Sequence, residues 1–225
     1  MAHESLLLQK NIREVMKEWK GNSNSLRAAI SVKSPNSTNE REQDDFYATD
    51  PEALEKLLDG CSEWLEESFN SLYPFGYIWE CACGNGNLAS TLIYRYRYKV
   101  YASDLKDRGY GISGIDFLKT SKTKCGIILT NQPYSLATEF IEHALDILPD
   151  GGLYIALMNI TYLAGQKRYQ RVYSKRNLRE IYIFSKRIEC WKNGELPKDK
   201  CGSIANYAWY VFQKGYNGQP TLYWL

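Results

Sequence analysis

The sequence predicts an α/β protein built on a doubly wound, Rossmann-like sheet, with an antiparallel strand pair near its carboxyl end and a helical arm at its amino end. Between residues 51 and 158, short apolar segments alternate with segments of helical periodicity. That alternation is typical of a parallel sheet with helices on both faces. Two later apolar segments, 181–185 and 207–215, have no helical pattern between them. They predict the antiparallel pair.

Composition restricts the class of protein. The chain has 225 residues, of which 44% are hydrophobic and 24% charged, so we expect one folded domain with a small appendage. No segment approaches the roughly 18 apolar residues of a membrane span, and the amino terminus is charged, so we expect no membrane partner and a cytoplasmic location. The net charge of +2 neither requires nor excludes a nucleic-acid partner.

Cysteine and histidine usage argues against disulfide and metal sites. Six cysteines are too few for a disulfide scaffold of this length, and we interpret them as free thiols. The sequence contains no Cys-x-x-Cys pair and only two histidines. We therefore expect no bound metal.

The chain divides near residue 44. Residues 1–43 comprise an amphipathic helical segment over 5–19 and a tract rich in Ser, Asn and charge that is typical of a flexible linker. The compact domain is predicted over 44–225. The arm could dock on that domain, pair two subunits of a homodimer or bind a host factor.

The elements of the domain follow in order. Thr49 and Glu52 have capping-box spacing and Pro51 suits a first helical turn, which predicts a helix over 51–68. Further helices are predicted over 87–95 and 135–147. Predicted strands occupy residues 77–80, 99–104, 125–131 and 153–158.

A glycine-containing turn follows the first of those strands. Residues 80–86 read Glu-Cys-Ala-Cys-Gly-Asn-Gly, and the glycines would let the backbone approach a ligand at the strand ends. Asp104 ends the next strand, where an acid can bind ribose hydroxyls. This pattern alone does not distinguish a nicotinamide cofactor from S-adenosylmethionine.

Residues 131–134, Asn-Gln-Pro-Tyr, end the apolar strand 125–131 and so belong at the same sheet edge. Here the chain resembles the amino-methyltransferases with an Asn-Pro-Pro-Tyr motif, notably the N6-adenine DNA methyltransferases. The resemblance implies S-adenosylmethionine as cofactor and a catalytic loop of Asn131, Gln132, Pro133 and Tyr134. Asn131 and the Gln132 carbonyl would accept the protons of an aromatic amine, and Tyr134 would stack on an extruded base.

The resemblance covers about 44–225. Residues 46–51 are similar to the family's Phe-Tyr-x-Thr-Pro motif, and 116–118 to its Asp-Phe-Leu motif. Phage and prophage members of the family share the sequence segments at 108–111, 184–187 and 207–212. The resemblance thereby implies cofactor-binding roles for the following residues: Phe46, Tyr47, Thr49, Glu80, Cys81, Ala82, Gly84, Gly86, Asp104, Leu105, Asp116 and Phe117.

Two departures keep alternatives open. Gln132 and Cys81 stand where the family has proline. A weakened enzyme that acts as a binding module, or a methyltransferase for RNA or a protein glutamine, therefore remains an alternative. C5-cytosine chemistry is disfavoured because the chain has no Pro-Cys nucleophile.

The DNA contact is predicted over 162–179, where basic residues alternate with tyrosines. The substrate-binding candidates are Tyr162, Lys167, Arg168 and Arg171. A solvated helix face explains the same pattern. Because the chain has no room for a separate recognition domain, we expect a short or relaxed target sequence. Protection of phage DNA from host restriction follows from the resemblance alone.

Overall fold

A computed structural model describes residues 47–72, 76–121, 123, 125–186, 188, 190–192 and 206–225. The arm, Phe46 and residues 193–205 lie outside these residues, so the predictions made for the arm and Phe46 remain predictions. No described helix has the length and apolar character needed to cross a membrane.

The described domain is organised around a seven-stranded mixed sheet. The strands, with a short two-stranded ribbon included, are β1 Tyr47–Thr49, β2 Ile78–Glu80, β3 Val100–Ala102, β4 Ile127–Thr130, β5 Leu153–Asn159, β6 Leu178–Ile183, β7 Cys190–Lys192, β8 Tyr207–Gln213 and β9 Thr221–Trp224. The sheet order is β3-β2-β4-β5-β8-β6-β9, and β1 pairs with β7 in the ribbon. Strands β2 to β5 are parallel, while β8 is antiparallel to β5 and β6. The predicted fold class is confirmed.

Helices cover both faces of the sheet. They are α1 Pro51–Asp59, α2 Glu63–Leu72, α3 Asn87–Tyr94, α4 Ala137–Ile147 and α5 Gln166–Arg171. Alternate strand residues enter different cores: Ile127 packs with α1, α2 and α3, and its neighbour Ile128 packs with α4. Because side chains of a strand point alternately to its two faces, buried strands of this kind read as continuous apolar runs.

The single helix predicted over 51–68 is wrong, since two helices occupy this region. The first ends at Gly60, which is the C-cap residue of α1. The Ser62 hydroxyl then accepts the backbone N–H of Leu65 at 3.1 Å, which starts α2. The cap of α1 is also displaced by one residue, because Asp50 rather than Thr49 accepts the N–H of Glu52.

Three strands were not predicted. Strand β9 runs parallel to β6 at the sheet edge, beyond the predicted antiparallel pair. Strands β1 and β7 pair antiparallel, Thr49 opposite Cys190. These strands are three or four residues long, too short for a periodic apolar pattern to reveal.

A buried carboxyl group joins β6 to the start of α2. Glu180 accepts hydrogen bonds from the hydroxyls of Tyr182 at 2.5 Å and Ser62 at 2.8 Å. The Tyr182 oxygen also accepts the backbone N–H of Ser62. Since a buried carboxyl is costly unless its oxygens are hydrogen-bonded, this cluster fixes α2 on the sheet.

Candidate functional site

The strand order reverses between β2 and β4, and the functional candidates lie at the carboxyl ends of these strands. Strand β2 is flanked by β3, which follows it in sequence, on one side and by β4 on the other. Glu80 ends β2, Asp104 follows β3 and Asn131 follows β4. In open α/β sheets, ligands bind in the crevice at such a reversal. The fold therefore places three separately predicted segments at one crevice.

The turn after β2 needs its glycines for backbone conformation. Gly84 and Gly86 have φ values of +55° and +86°, in the left-handed region that favours glycine. The N–H of Gly84 donates to Oδ2 of Asp104 at 2.9 Å, and the N–H of Lys106 donates to Oδ1 at 2.9 Å. Asp104 thus fixes the turn through one oxygen and the loop after β3 through the other.

Tyr110 lies directly against this turn. A Cβ added to Gly86 would be 2.5 Å from Cδ1 of the Tyr110 ring. Gly111, with a φ of +69°, is similarly close to the Ala102 carbonyl and to Sγ of Cys83. In the sequence, residues 108–111 are only a segment shared with phage and prophage members, and nothing there points to Tyr110 as a neighbour of the glycine turn. No spacing rule links it to Gly86, since the contact arises from the loop after β3.

Glu80 is a buried carboxyl group beneath the turn. Its side chain is 2% exposed, and Oε2 has no hydrogen-bond partner among the described residues. Burial raises the pKa of Glu80 well above its ordinary value, the backbone N–H of Ala89 opposes this shift, and the nearby Asp104 adds to it. Glu80 is therefore a buried acceptor to which a donor or a positive charge would bind favourably.

Thr49 connects the catalytic candidate Asn131 to the glycine turn. Nδ2 of Asn131 donates to Oγ1 of Thr49 at 2.8 Å, and the Thr49 carbonyl accepts from Nδ2 of Asn87 at 2.9 Å. Asn87 is the first residue of α3. Because its amino group is bound by Thr49, the Asn131 amide has a defined orientation with Oδ1 as its acceptor end.

The rest of the loop after β4 is partly buried. Pro133 has an extended backbone (φ −54°, ψ 124°), and residues 134–136 form one 3-10 turn. The Tyr134 ring is half-buried, with its centroid 6.0 Å from the Tyr207 ring and 6.5 Å from the Tyr162 ring. Gln132 is 2% exposed, and neither polar atom of its side-chain amide has a partner among the described residues.

Three further predicted cofactor residues differ in exposure. Leu105 is 58% exposed beside Asp104. Asp116 caps the turn over 117–119 and pairs with Lys119 at 2.8 Å, and this hydrogen-bonded ion pair lowers the pKa of Asp116. Phe117 is buried in an aromatic cluster, 4.8 Å from the Phe140 ring and 5.3 Å from Trp79. Its side chain is a core group, so a ligand contact would come from the backbone.

The cysteines of residues 80–86 pack beneath the turn. Burial raises the pKa of the Cys81 thiol well above its ordinary value, and the neighbouring Thr130 side chain only partly opposes this. Burial likewise raises the pKa of Cys83 to about 12, with Glu80 adding to the shift. Thiols of this kind stay protonated near neutral pH and are poor nucleophiles. Ala82 is half-buried between them and contacts the core.

The predicted DNA-contact residues are not equivalent in the structure. Lys167 is exposed. Arg168 lies 4.6 Å over the Tyr162 ring and donates to the Ala164 carbonyl. Arg171 forms ion pairs with two carboxylates of α4, so its charge is largely compensated.

Comparisons with known proteins support the fold. No family model matches the chain, and no curated protein matches it. A solved structure from Pyrococcus horikoshii, provisionally described as an RNA methyltransferase, matches with a TM-score of 0.52 and 16% identity over 85% of this chain and 97% of that one. The fold is that of Rossmann-like methyltransferases.

Two longer proteins contain a similar domain. The type IIG restriction endonuclease BpuSI matches with a TM-score of 0.54 and 16% identity over 76% of this chain. The structure of a DrdV–DNA complex matches with a TM-score of 0.53 and 12% identity over 84%. This chain spans only 26% and 28% of those two chains. At these identities, the matches establish a shared fold.

The residues at the crevice fit the polar groups of S-adenosylmethionine. A carboxylate has about four acceptor positions, so Asp104 keeps acceptor capacity for ribose hydroxyls beside its two backbone donors. The Oε2 atom of Glu80 is a buried acceptor, suited to a positively charged ligand or a bridging water. The exposed Leu105 side chain is an apolar surface next to Asp104.

Proposed function

We propose that the protein transfers a methyl group from S-adenosylmethionine to the N6 amine of adenine in DNA. The observation that carries the proposal is the orientation of Asn131 by Thr49, at the carboxyl end of β4 and next to the glycine turn. An amide oriented in this way at a ligand crevice supplies an acceptor for an amine proton. The DNA and adenine assignments rest on the resemblance of residues 131–134 to the Asn-Pro-Pro-Tyr motif.

The chemistry explains why acceptors are needed. The lone pair of an exocyclic amine is delocalised into the ring, so the amine is a poor nucleophile. Acceptors aimed at its two protons, Oδ1 of Asn131 and the main-chain carbonyl of Gln132, would localise that pair on nitrogen. The cofactor supplies the electrophilic methyl group. Pro133 would keep the loop extended, and Tyr134 would offer one ring face to the base.

The DNA would bind along the surface that follows β5. The exposed Lys167 and the half-buried Arg168 suit phosphate contacts at an extruded adenine, and Tyr162 contacts both Arg168 and the loop after β4. The DrdV match was solved with DNA, which is consistent with this proposal. In a phage or prophage, such methylation would protect DNA from restriction.

The test is transfer of a labelled methyl group to unmethylated double-stranded DNA, followed by nucleoside analysis. Asn131→Ala should abolish transfer while retaining S-adenosylmethionine binding. Asn217→Ala, at an exposed asparagine in the loop before β9, is the matched control and should be fully active. Parallel reactions with single-stranded DNA, RNA and a glutamine-containing protein identify the acceptor. Label on RNA or protein alone would refute the DNA assignment.

A binding module is the second candidate, favoured by one observation. Gln132 replaces a proline and buries an amide whose polar atoms lack partners among the described residues, so its loop is less constrained by sequence. A binding module should bind S-adenosylmethionine but transfer no methyl group to any of the acceptors. Gln132→Pro should then produce measurable transfer.

The homodimer and host-partner predictions concern the amino-terminal arm. That segment lies outside the described residues, so both remain predictions. Among the described residues, no group of three or more metal-binding side chains occurs, and the proposal uses no metal.

A further inference from the structure

The loop after β4 is tied to the loop after β5 by a tyrosine. The hydroxyl of Tyr162 donates to the main-chain carbonyl of Tyr134. The same carbonyl accepts the N–H of Ala137, which closes the 3-10 turn before α4. A carbonyl has two lone pairs and can accept both bonds. The backbone that follows Pro133 is therefore held from within its turn and from a neighbouring loop.

Tyr162 is itself held in place. The hydroxyl of Tyr173 donates to the Tyr162 carbonyl at 2.8 Å. The guanidinium of Arg168 covers the Tyr162 ring at 4.6 Å. Arg171 joins α5 to α4 through Glu139 and Glu142 at 2.9 and 2.5 Å. Both the ring and the backbone of Tyr162 thus have contacts that resist movement.

Residue 132 is glutamine where the family has proline, and this difference explains why the contact of Tyr162 with the loop backbone matters. A proline would fix φ of residue 132 through its ring. Glutamine does not, and its buried amide has no described partner that could anchor it. A carbonyl acceptor must nevertheless be positioned closely, since a misplacement of about 1 Å can cost ~100-fold in rate.

We propose that Tyr162 is a positioning residue that restrains the catalytic loop in place of the missing proline at 132. This inference rests on the proposed function and adds to it: the Tyr162 hydroxyl acts on the reaction through the loop backbone. The hydroxyl already has the Tyr134 carbonyl as acceptor, which distinguishes this role from a direct DNA contact by the same group.

The kinetic test compares two tyrosines. Tyr162→Phe removes the hydroxyl and keeps the ring beneath Arg168. Tyr210→Phe is the matched control, since its hydroxyl also donates to a main-chain carbonyl, that of Asn159, at 3.1 Å. We expect Tyr162→Phe to lower kcat by ~10- to 100-fold with KM for S-adenosylmethionine unchanged, and Tyr210→Phe to leave kcat unchanged. Equal effects of the two variants would overturn the proposal.

A double-mutant cycle tests the link to position 132. If the hydroxyl replaces the constraint of a proline, Tyr162→Phe should cost much less kcat in the Gln132→Pro background than in the wild type. Independent effects of the two substitutions would show that Tyr162 acts in some other way.

Hydrogen exchange separates this proposal from the proposed function. If the wild type transfers no methyl group to any acceptor, the proposed function fails. Exchange of the Ala137 amide still reports on the loop: Tyr162→Phe should accelerate it, and Tyr210→Phe should not. Unchanged exchange in Tyr162→Phe would refute the restraint whatever the activity.

Discussion

The contact between Gly86 and Tyr110 makes a sharp prediction for Gly86→Ala. Two costs are expected. Gly86 has a φ of +86°, and an L-residue in the left-handed region costs about 1–2 kcal/mol. In addition, the new Cβ would be 2.5 Å from Cδ1 of Tyr110, whereas carbon atoms prefer roughly 3.5–4.0 Å. The ring or the turn must therefore shift by about 1 Å.

Gly151→Ala separates the two costs. Gly151 has a φ of +79°, and a Cβ there would meet nothing within 4 Å. It lies in the turn before β5, away from the crevice. Gly151→Ala should lose about 1–2 kcal/mol of unfolding free energy, and Gly86→Ala should lose more because its Cβ also overlaps the Tyr110 ring. Only Gly86→Ala should also lose S-adenosylmethionine affinity, by ~10-fold or more, which corresponds to at least ~1.4 kcal/mol.

Equilibrium denaturation and calorimetric titration with S-adenosylmethionine measure these two quantities. Tyr110→Ala removes the ring that the new Cβ would overlap. Gly86→Ala should therefore cost much less S-adenosylmethionine affinity in the Tyr110→Ala background than in the wild type. If Gly86→Ala binds the cofactor as tightly as Gly151→Ala does, the glycine turn is not the cofactor site and the reasoning is refuted.

Three further predictions concern buried acids and surface charge. Because the pKa of Glu80 is raised above its ordinary 4.5, the folded protein holds a proton that the unfolded chain releases. The unfolding free energy of the ligand-free protein should therefore fall as pH rises above about 4.5. Denaturation at several pH values should show that Glu80→Gln lacks this part of the decrease. If the unfolding free energies of the wild type and Glu80→Gln change with pH in parallel, the prediction is contradicted. Tyr182→Phe removes a 2.5 Å hydrogen bond to the buried Glu180 and should cost about 1–3 kcal/mol in urea unfolding, a loss below ~0.5 kcal/mol being inconsistent with the network. Lys167→Ala should weaken DNA binding and reduce its salt slope by about 1, whereas Arg171→Ala, whose charge is paired with two carboxylates, should change the slope less; the reverse order would place DNA elsewhere.

The sequence predicts the central sheet well because its strands are continuous apolar runs. Residues 125–131 contain β4, residues 153–158 cover all of β5 except its last residue, and both strands are buried on both faces. The break between α1 and α2 was harder to predict. Gly60 and Ser62 end one helix and begin another, yet the apolar periodicity continues through both.

The clustering of the candidate site residues could be predicted where they follow strands or form a contiguous motif, but contacts between separate loops could not. Glu80, Asp104 and Asn131 each follow a strand, so their common edge follows from topology alone. The contacts of Tyr110 with Gly86 and of Tyr162 with the Tyr134 carbonyl join separate loops. No pattern within one segment encodes either contact.

The pairing of β1 with β7 has a consequence for synthesis on the ribosome. Thr49, which orients Asn131, belongs to a strand whose partner is made much later, and its own bond to Asn131 spans 82 residues. The indole of Trp209 donates to the Ala53 carbonyl across 156 residues. Contacts of such long range form late and slowly. The nascent chain therefore completes its crevice only after β8 has emerged, so incomplete translation products should lack an assembled site.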